Sequence, residues 1–221
     1  MRRIVRPEIL DTDQASHEEV LDSLVDLRRI NRWFGGTSTL AKLVDTVVGR
    51  TSATGLSLLD VASASGDIPR AVQQRLARRG VRLTYTLLDR DPTHFDEENV
   101  GRRVRGDALA LPFRDGSFDL VSCSLFAHHL EPEQITAFAK EALRVSRVAL
   151  LINDLRRSYV HLAAIYAGKP LFRRVTRHDS VASVMRSYTS DEMRGMLNHG
   201  TARRVEVENT YLFRMGAIAW K

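Results

Sequence analysis

The feature that most restricts this chain is a change of period. From Gly55 onward, short apolar runs of strand length alternate with longer amphipathic stretches. "LSLLDVA" is bounded by glycines and reads as a buried strand, and "IPRAVQQRLARRG" reads as a helix ending at Gly80. "RLTYTLLD" is a second strand, "RRVRGDA" a short third and "FDLVSCSLF" a fourth. "PEQITAFAKEALRVS" is a helix with Pro132 in its first turn, and "RVALLIND" is a fifth strand. Apolar strands separated by helices need cover on both faces. The pattern therefore predicts an α/β, doubly wound, mostly parallel sheet.

The flanking segments read differently. "SHEEVLDSLVDLRRINRWF" is a helix in which Ser16 and Glu19 form a capping box and Val20, Leu24, Leu27 and Ile30 make an apolar stripe. Gly35 and Gly36 break it, and "TLAKLVDTVV" resumes a second helix. Between Leu155 and Thr189 the alternation stops. "LRRSYVHLAAIYAG" and "SVASVMRSYT" read as helices around a loop holding Lys169 and Pro170. Ser190 is the expected cap of "SDEMRGMLNHG", and "RRVEVENTYLFRMGAIAW" closes the chain as two strands added antiparallel at the sheet edge. The expected division is an N-terminal helical cap over 1–50 and a sheet domain over 51–221, with a lid inserted at about 155–189.

Composition narrows the function classes. No apolar run reaches the roughly 18 residues of a membrane span. The basic N-terminus lacks the apolar stretch of a signal peptide, so the cytoplasm is the expected location. A single cysteine, Cys123, excludes an internal disulfide and a multi-cysteine metal site. The net charge of +6 comes from arginines spread through every segment, without the interleaved aromatics of a single-strand binder, so no nucleic-acid partner is expected.

In doubly wound sheets, ligands sit at the carboxyl ends of the strands. Those ends carry Asp60, Asp89, Asp107, Ser124 and the pair Asn153-Asp154. Three carboxylates around one crevice suit a ligand with hydroxyls, amino groups and positive charge. The loop "LLDVASASGDIP" has no G-x-G-x-x-G, because alanine stands at Ala62 and Ala64. "GDALALPFRDGSFDLV" has no role in a dinucleotide site.

Taken in order, "LLDVASASGDIP", "TLLDRDP" and "GDALALPFRDGSFDLVSCSLFAHHL" resemble the class I S-adenosylmethionine-dependent methyltransferases. The subtype looks like those of ubiquinone and menaquinone biosynthesis and their small-molecule relatives, over about residues 55–155. The resemblance implies a Rossmann-like sheet of seven strands with an antiparallel edge strand, N-terminal helices and a helical lid. It also implies S-adenosyl-L-methionine as cofactor. Asp60 would orient the loop and hold the cofactor's amino group. The backbone of Ala62, Ser63, Ala64 and Gly66 would pass under the methionine and ribose. Asp89 would take the ribose hydroxyls and Arg90 would lie along the adenine. Asp107 would accept the adenine amino group, with Ala108 donating its N–H. Ser124 would lie near the methionine, and Arg32 of "NRWFGG" would pair with its carboxylate. Asp119, at the far end of its strand, is expected to be structural. Ala64 is the departure from the family's pattern, costing about 1 kcal/mol if the site demands positive φ.

An oxygen acceptor must also lose a proton. His128 and His129, after the fourth strand, are the candidate bases, with His161 and His178 behind them. Trp33, Phe34, Leu162, Ile165, Tyr166, Leu171, Phe172, Met185 and Tyr188 are candidates for an apolar acceptor pocket. No metal is expected, and Cys123 reads as a core residue. "NDLRRS" and the lid resemble relatives beside polyketide pathways in secondary metabolism that methylate phenolic products. The expected function is O-methylation of a small aromatic or lipophilic acceptor, phenolic or quinol, by a monomer or homodimer. C-methylation of a quinone-type ring is the alternative. A catalytically silent binding domain is the alternative from another class.

Overall fold

The computed structural model describes residues 1–11, 16–91, 101–169 and 172–221. Helix α1 (His17–Trp33) starts where the capping box requires. The Ser16 hydroxyl accepts from Glu19 N, and the Glu19 carboxylate accepts from Ser16 N. Gly35, at φ +84°, turns the chain into α2 (Gly36–Thr51), and a Cβ there would fall 2.8 Å from Tyr211 Cδ1. Then β1 (Gly55–Val61), α3 (Asp67–Ala77), β2 (Arg82–Asp89), β3 (Arg102–Arg105), β4 (Phe118–Ser124), α4 (Pro132–Val145) and β5 (Ser146–Leu155) follow as read. Helices α5 (Tyr159–Gly168), α6 (Arg174–Arg186) and α7 (Ser190–Asn198) precede β6 (Arg204–Asn209) and β7 (Arg214–Trp220).

The cap of α7 is Thr189 rather than Ser190. Thr189 Oγ1 accepts from Glu192 N, and the Glu192 carboxylate accepts from Thr189 N. Only Thr189 stands three residues before a glutamate, so only it can close the reciprocal pair.

The sheet has the order β3-β2-β1-β4-β5-β7-β6. Strands β1 to β5 run parallel, and β7 runs antiparallel between β5 and β6. The antiparallel strand therefore lies one place in from the edge. The reason is composition: "RMGAIAW" is buried almost throughout and needs neighbours on both sides, whereas "RVEVEN" alternates with polar residues and tolerates the edge.

Successive residues serve opposite faces. Leu59, Leu150, Ile152, Met215 and Ala217 join α4 and α7 in one core. Leu58, Ala149, Leu151 and Ile218 join α2 and α3 in the other. Leu40, Leu43, Val44 and Val47 of α2 are fully buried there, each worth on the order of 1.5–3 kcal/mol. A boundary at residue 50 would cut that core, so α2 belongs to the sheet's own layers. α6 packs against both α1 and α5, and α1 also leans on α2. At the far end of β4, Asp119 accepts from Ser57 N, Ser57 Oγ and Arg147 Nε at 2.8, 2.7 and 2.9 Å, pinning β1 to β4 and β5. Cys123 is fully buried. Among the described residues, no helix is long and apolar enough to cross a membrane.

Candidate active site

The strand order reverses between β1 and β4, and a cavity of about 790 Å3 opens at the carboxyl ends there. α1, α5 and α6 close its outer side with residues such as Val20, Leu27, Asn31, Ile165, Thr176 and Ser183.

At one end stand the strand-end acids. Asp60 is buried, and its Oδ1 accepts from Ser122 Oγ at 2.5 Å. Burial pushes its carboxyl up to about 7; Ser122 opposes this, and the charges of Asp67 and Asp89 add to it. Such a group is poised to receive a cation.

The loop after β1 is held in the left-handed region at three positions: Ala62 at φ +53°, Ala64 at +44° and Gly66 at +67°. Ala62 thus shares the strain of Ala64, about 1–2 kcal/mol each. The neighbouring strand holds the loop in place. Ser63 N donates to Leu88 O at 3.2 Å, and Ala64 N donates to Asp89 Oδ2 at 2.9 Å. Asp89 Oδ1 accepts from Asp91 N at 3.1 Å. Asp89 therefore clamps the loop, a role that its position alone did not reveal.

Asp107 is exposed and accepts from Leu109 N at 2.9 Å through Oδ1, while Ala108 is buried beside it. At Gly106 a Cβ would meet Leu88 Cδ1 at 2.9 Å, so a side chain there would have to displace Leu88. Ser124 Oγ accepts from Asn153 Nδ2 at 3.0 Å. The next residue, Leu125, is also left-handed at φ +55°. Asp60, Ala62, Ser63, Ala64, Asp89, Arg90, Asp107, Ala108 and Ser124 all line the cavity.

Arg32 does not. It is exposed, with its guanidinium 5.8 Å from the Trp33 ring centroid. The cavity face of α1 carries Leu27, Ile30 and Asn31, and the next residue turns away along the helix. A different arginine is present instead. Arg214, at the start of β7, is 1% exposed and lines the cavity. Its Nε donates to Phe34 O at 3.1 Å and its Nη2 to Asn31 Oδ1 at 3.4 Å, while Nη1 has no partner among the described residues. Burial pushes its guanidinium down to about 10, with Asp154 opposing. The only sequence signal was a charge heading an otherwise apolar strand.

At the other end stands His128, 2% exposed. Its backbone N donates to Asp154 Oδ2 at 2.8 Å, and its Nδ1 lies 2.6 Å from Asp154 Oδ1. Glu8 Oε1 lies 3.5 Å from His128 Nε2 and 3.7 Å from His129 Nε2, and it accepts from Ser183 Oγ at 2.7 Å. Burial alone would push the His128 ring down, but Asp154 and Glu8 outweigh it and push it up to about 9. Burial likewise would raise Asp154 and Glu8, and the histidine outweighs it at both, leaving them low. Glu8 comes from the irregular N-terminal segment, which carries no periodic signal. The donor atoms of Glu8, His128 and His129 lie within 4.8 Å of one another, a set that can hold a cation and that the sequence reading did not foresee. Arg186 Nη1, 3.6 Å from Glu8 Oε1, already brings a positive charge to the same carboxylate.

His161 also lines the cavity, with Nδ1 3.2 Å from Arg156 O and its ring stacked 4.5 Å from Phe213. Burial pushes it down to about 4, which leaves it neutral. His178 is half exposed and 2.9 Å from Asp179 Oδ1. Of the expected pocket residues, Phe34, Ile165 and Phe172 line the cavity, whereas Trp33, Leu162, Tyr166, Met185 and Tyr188 do not. Tyr188 is core, its hydroxyl donating to Leu130 O at 2.7 Å. Pro170, Leu171 and the side chain of Leu24 lie outside the described residues.

Residues 59–149 match the family model described as a methyltransferase domain. No curated protein matches the chain. Among solved structures, it is similar to a SAM-dependent methyltransferase from Aquifex aeolicus, at 15% identity and TM-score 0.59 over 89% of this chain and 97% of that one. It is similar to the plantazolicin methyltransferase BamL, solved with a triazolic desmethylPZN analog and SAH, at 10% identity and TM-score 0.68 over 92% and 91%. It is also similar to magnesium protoporphyrin IX methyltransferase from Synechocystis PCC 6803, solved with SAH, at 14% identity and TM-score 0.54 over 96% and 91%. Sheet order, crevice and likeness together give the chain the fold of the class I S-adenosylmethionine-dependent methyltransferases, with a methyltransferase domain matched at residues 59–149.

Proposed function

We propose that the protein methylates an oxygen of a small phenolic or quinol acceptor, using S-adenosylmethionine. The observation that carries the reading is His128, buried at the cavity wall with its Nδ1 2.6 Å from Asp154, in the same cavity as three acid-bearing strand ends. The residues present fit the cofactor. Asp60 offers a carboxylate to its ammonium, Asp89 to its ribose and Asp107 to its adenine, with Ala108 beside the ring and Arg90 along it. A cavity of about 790 Å3 leaves room for a small acceptor as well.

When bound, the cofactor supplies an already activated methyl group. The protein's task is therefore alignment and proton removal. With the ring neutral, Asp154 accepts from His128 Nδ1–H, and the Nε2 lone pair, on the side that faces Glu8, would take the acceptor's hydroxyl proton. Asp154 then stabilises the imidazolium. Because Asp154 and Glu8 hold the ring protonated up to about 9, the active neutral form grows as pH rises toward that value. His129 is the second candidate base. Phe34, Ile165 and Phe172 present apolar surface to the acceptor, and α1, α5 and α6 act as its cap and lid. The structural relatives are named for different acceptors, so the acceptor class rests on this cavity alone.

Calorimetry with S-adenosylmethionine is the first test, and absence of binding would leave a silent binding domain. A phenol panel with mass detection is the second. Products methylated on carbon, formed equally well by His128→Ala, would replace oxygen with a ring carbon.

A further inference from the structure

We infer that Arg214, at the head of the C-terminal strand, is the receptor for the carboxylate of the cofactor's amino-acid arm, held from inside the core. The inference rests on the methyltransferase reading and assigns a part that neither the strand-end motifs nor the helix α1 arginine supplies. A buried guanidinium needs a counter-charge and partners for its donors. Arg214 has neither in full. Its two bonded nitrogens meet neutral oxygens, on Phe34 and Asn31, and Nη1 meets none among the described residues. Among the described residues no carboxylate lies within ion-pair distance of it. Asp154 is the acid that acts on its charge, and both Asp154 oxygens are engaged by His128 and Leu155 N.

A guanidinium left in this state and lining a ligand cavity is completed by an anion from the ligand. The neighbours say which part of the ligand. Asn31, which accepts from Arg214, donates through Nδ2 to Asp67 Oδ2 at 3.4 Å. Asp67 opens α3 directly after Gly66, and Ser65 Oγ donates to its Oδ1 at 2.9 Å. Arg214 is thus tied to the end of the loop that would run beneath the methionine. β7 pairs Arg214 with Leu155 at the end of β5, which brings the guanidinium to the crevice from the side opposite the adenine strands. Arg28 and Arg90 also line the cavity, but both are exposed and can keep their charge in water.

The test compares two ligands that share the adenosine and thioether and differ in the amino-acid arm: S-adenosylhomocysteine and 5′-methylthioadenosine. Calorimetry on wild-type protein, Arg214→Met and Arg214→Lys reads both affinities, and thermal melting of the ligand-free proteins reports folding. The expected result is a loss of roughly 30-fold or more in S-adenosylhomocysteine affinity for Arg214→Met, with a smaller loss for Arg214→Lys. Methylthioadenosine affinity should change by less than about two-fold in both. Equal losses for the two ligands would show a merely structural arginine and overturn the inference. So would unchanged S-adenosylhomocysteine affinity in both variants, and an acceptor carboxylate would then be the anion if acceptor KM alone rises. Wild-type protein that binds neither ligand would overturn the methyltransferase reading and this inference with it.

Discussion

At the cofactor end of the cavity, Asp60, Asp89 and Asp107 stand at the termini of adjacent or near-adjacent strands, and the loop between them is held largely by backbone groups. At the acceptor end, Glu8, His128, Asp154 and the α6 pair Ser183 and Arg186 arrive from four separate segments and meet mostly through side chains. The first construction stores strain, in Ala62, Ala64 and Leu125, because a hydrogen-bonded sheet beside it can bear the cost. The second concentrates charge, because buried acids and a histidine can satisfy one another only in one another's presence. Cofactor affinity should therefore follow the strand ends, and turnover and its pH dependence should follow the side-chain cluster.

The largest expected effect separates the two ends cleanly. His128→Ala should lower kcat by about 10²-fold or more, and it should abolish the rise of rate toward pH 9 expected from the raised histidine. S-adenosylhomocysteine affinity by calorimetry should stay within about two-fold of wild type. Unchanged turnover would remove His128 as the base and dissolve the contrast.

Asp89→Ala attacks the other end. It removes a ribose acceptor and the partner of Ala64 N, so cofactor affinity should fall about 30-fold or more. An affinity within three-fold of wild type, on the order of experimental scatter in such comparisons, would mean that the loop holds itself.

A stability effect should be seen at Asp60. Its folded value of about 7 lies above its ordinary 3.8, so the folded state binds the proton more tightly. The stabilising contribution is complete below 3.8 and is lost as pH rises through 7. Asp60→Asn, which keeps an oxygen for Ser122, should raise the ligand-free melting temperature at pH 8 by several degrees, on the order of 2–4 °C per kcal/mol. The difference should vanish toward pH 4, and cofactor binding should weaken. An unchanged melting temperature at pH 8 would show that Asp60 is not burdened by burial.

Ala64→Gly should act weakly. Relief of about 1–2 kcal/mol of left-handed strain is partly offset by about 0.5–1 kcal/mol of added chain freedom. The expected gain is a rise in melting temperature of roughly 2–3 °C, with tighter cofactor binding. No gain in either would show that the alanine is no handicap. The smallest effect should come from chelation. Since Arg186 already supplies positive charge at Glu8, dialysis against a chelator should leave turnover unchanged, and loss restored by a divalent ion would instead put a cation on Glu8, His128 and His129.

Much of the fold was legible in the residues because the physics involved is local. The capping box at Ser16, the proline opening α4 and the apolar runs from β1 to β5 depend on neighbours a few positions away. The box at Thr189 was equally legible, and Ser190 obscured it only because two hydroxyl residues stand side by side. Arg32 failed for a comparable reason: an arginine beside two glycines carries no mark of which way its helix will turn. Glu8 had no readable signal and Arg214 only a weak one, since an irregular N-terminus and the first residue of a strand are ordinary places for charge.

By itself, the sequence determined the alternation of strands and helices and the acids at the strand ends, because hydrophobic period and short-range hydrogen bonds are properties of contiguous residues. Only the tertiary structure decided that β7 would slip between β5 and β6, that Arg214 would be buried facing the cavity, and that Glu8 would stand against His128. A buried charge is tolerated only where distant segments meet it with the right partner, and no stretch of chain records in advance which segments those will be.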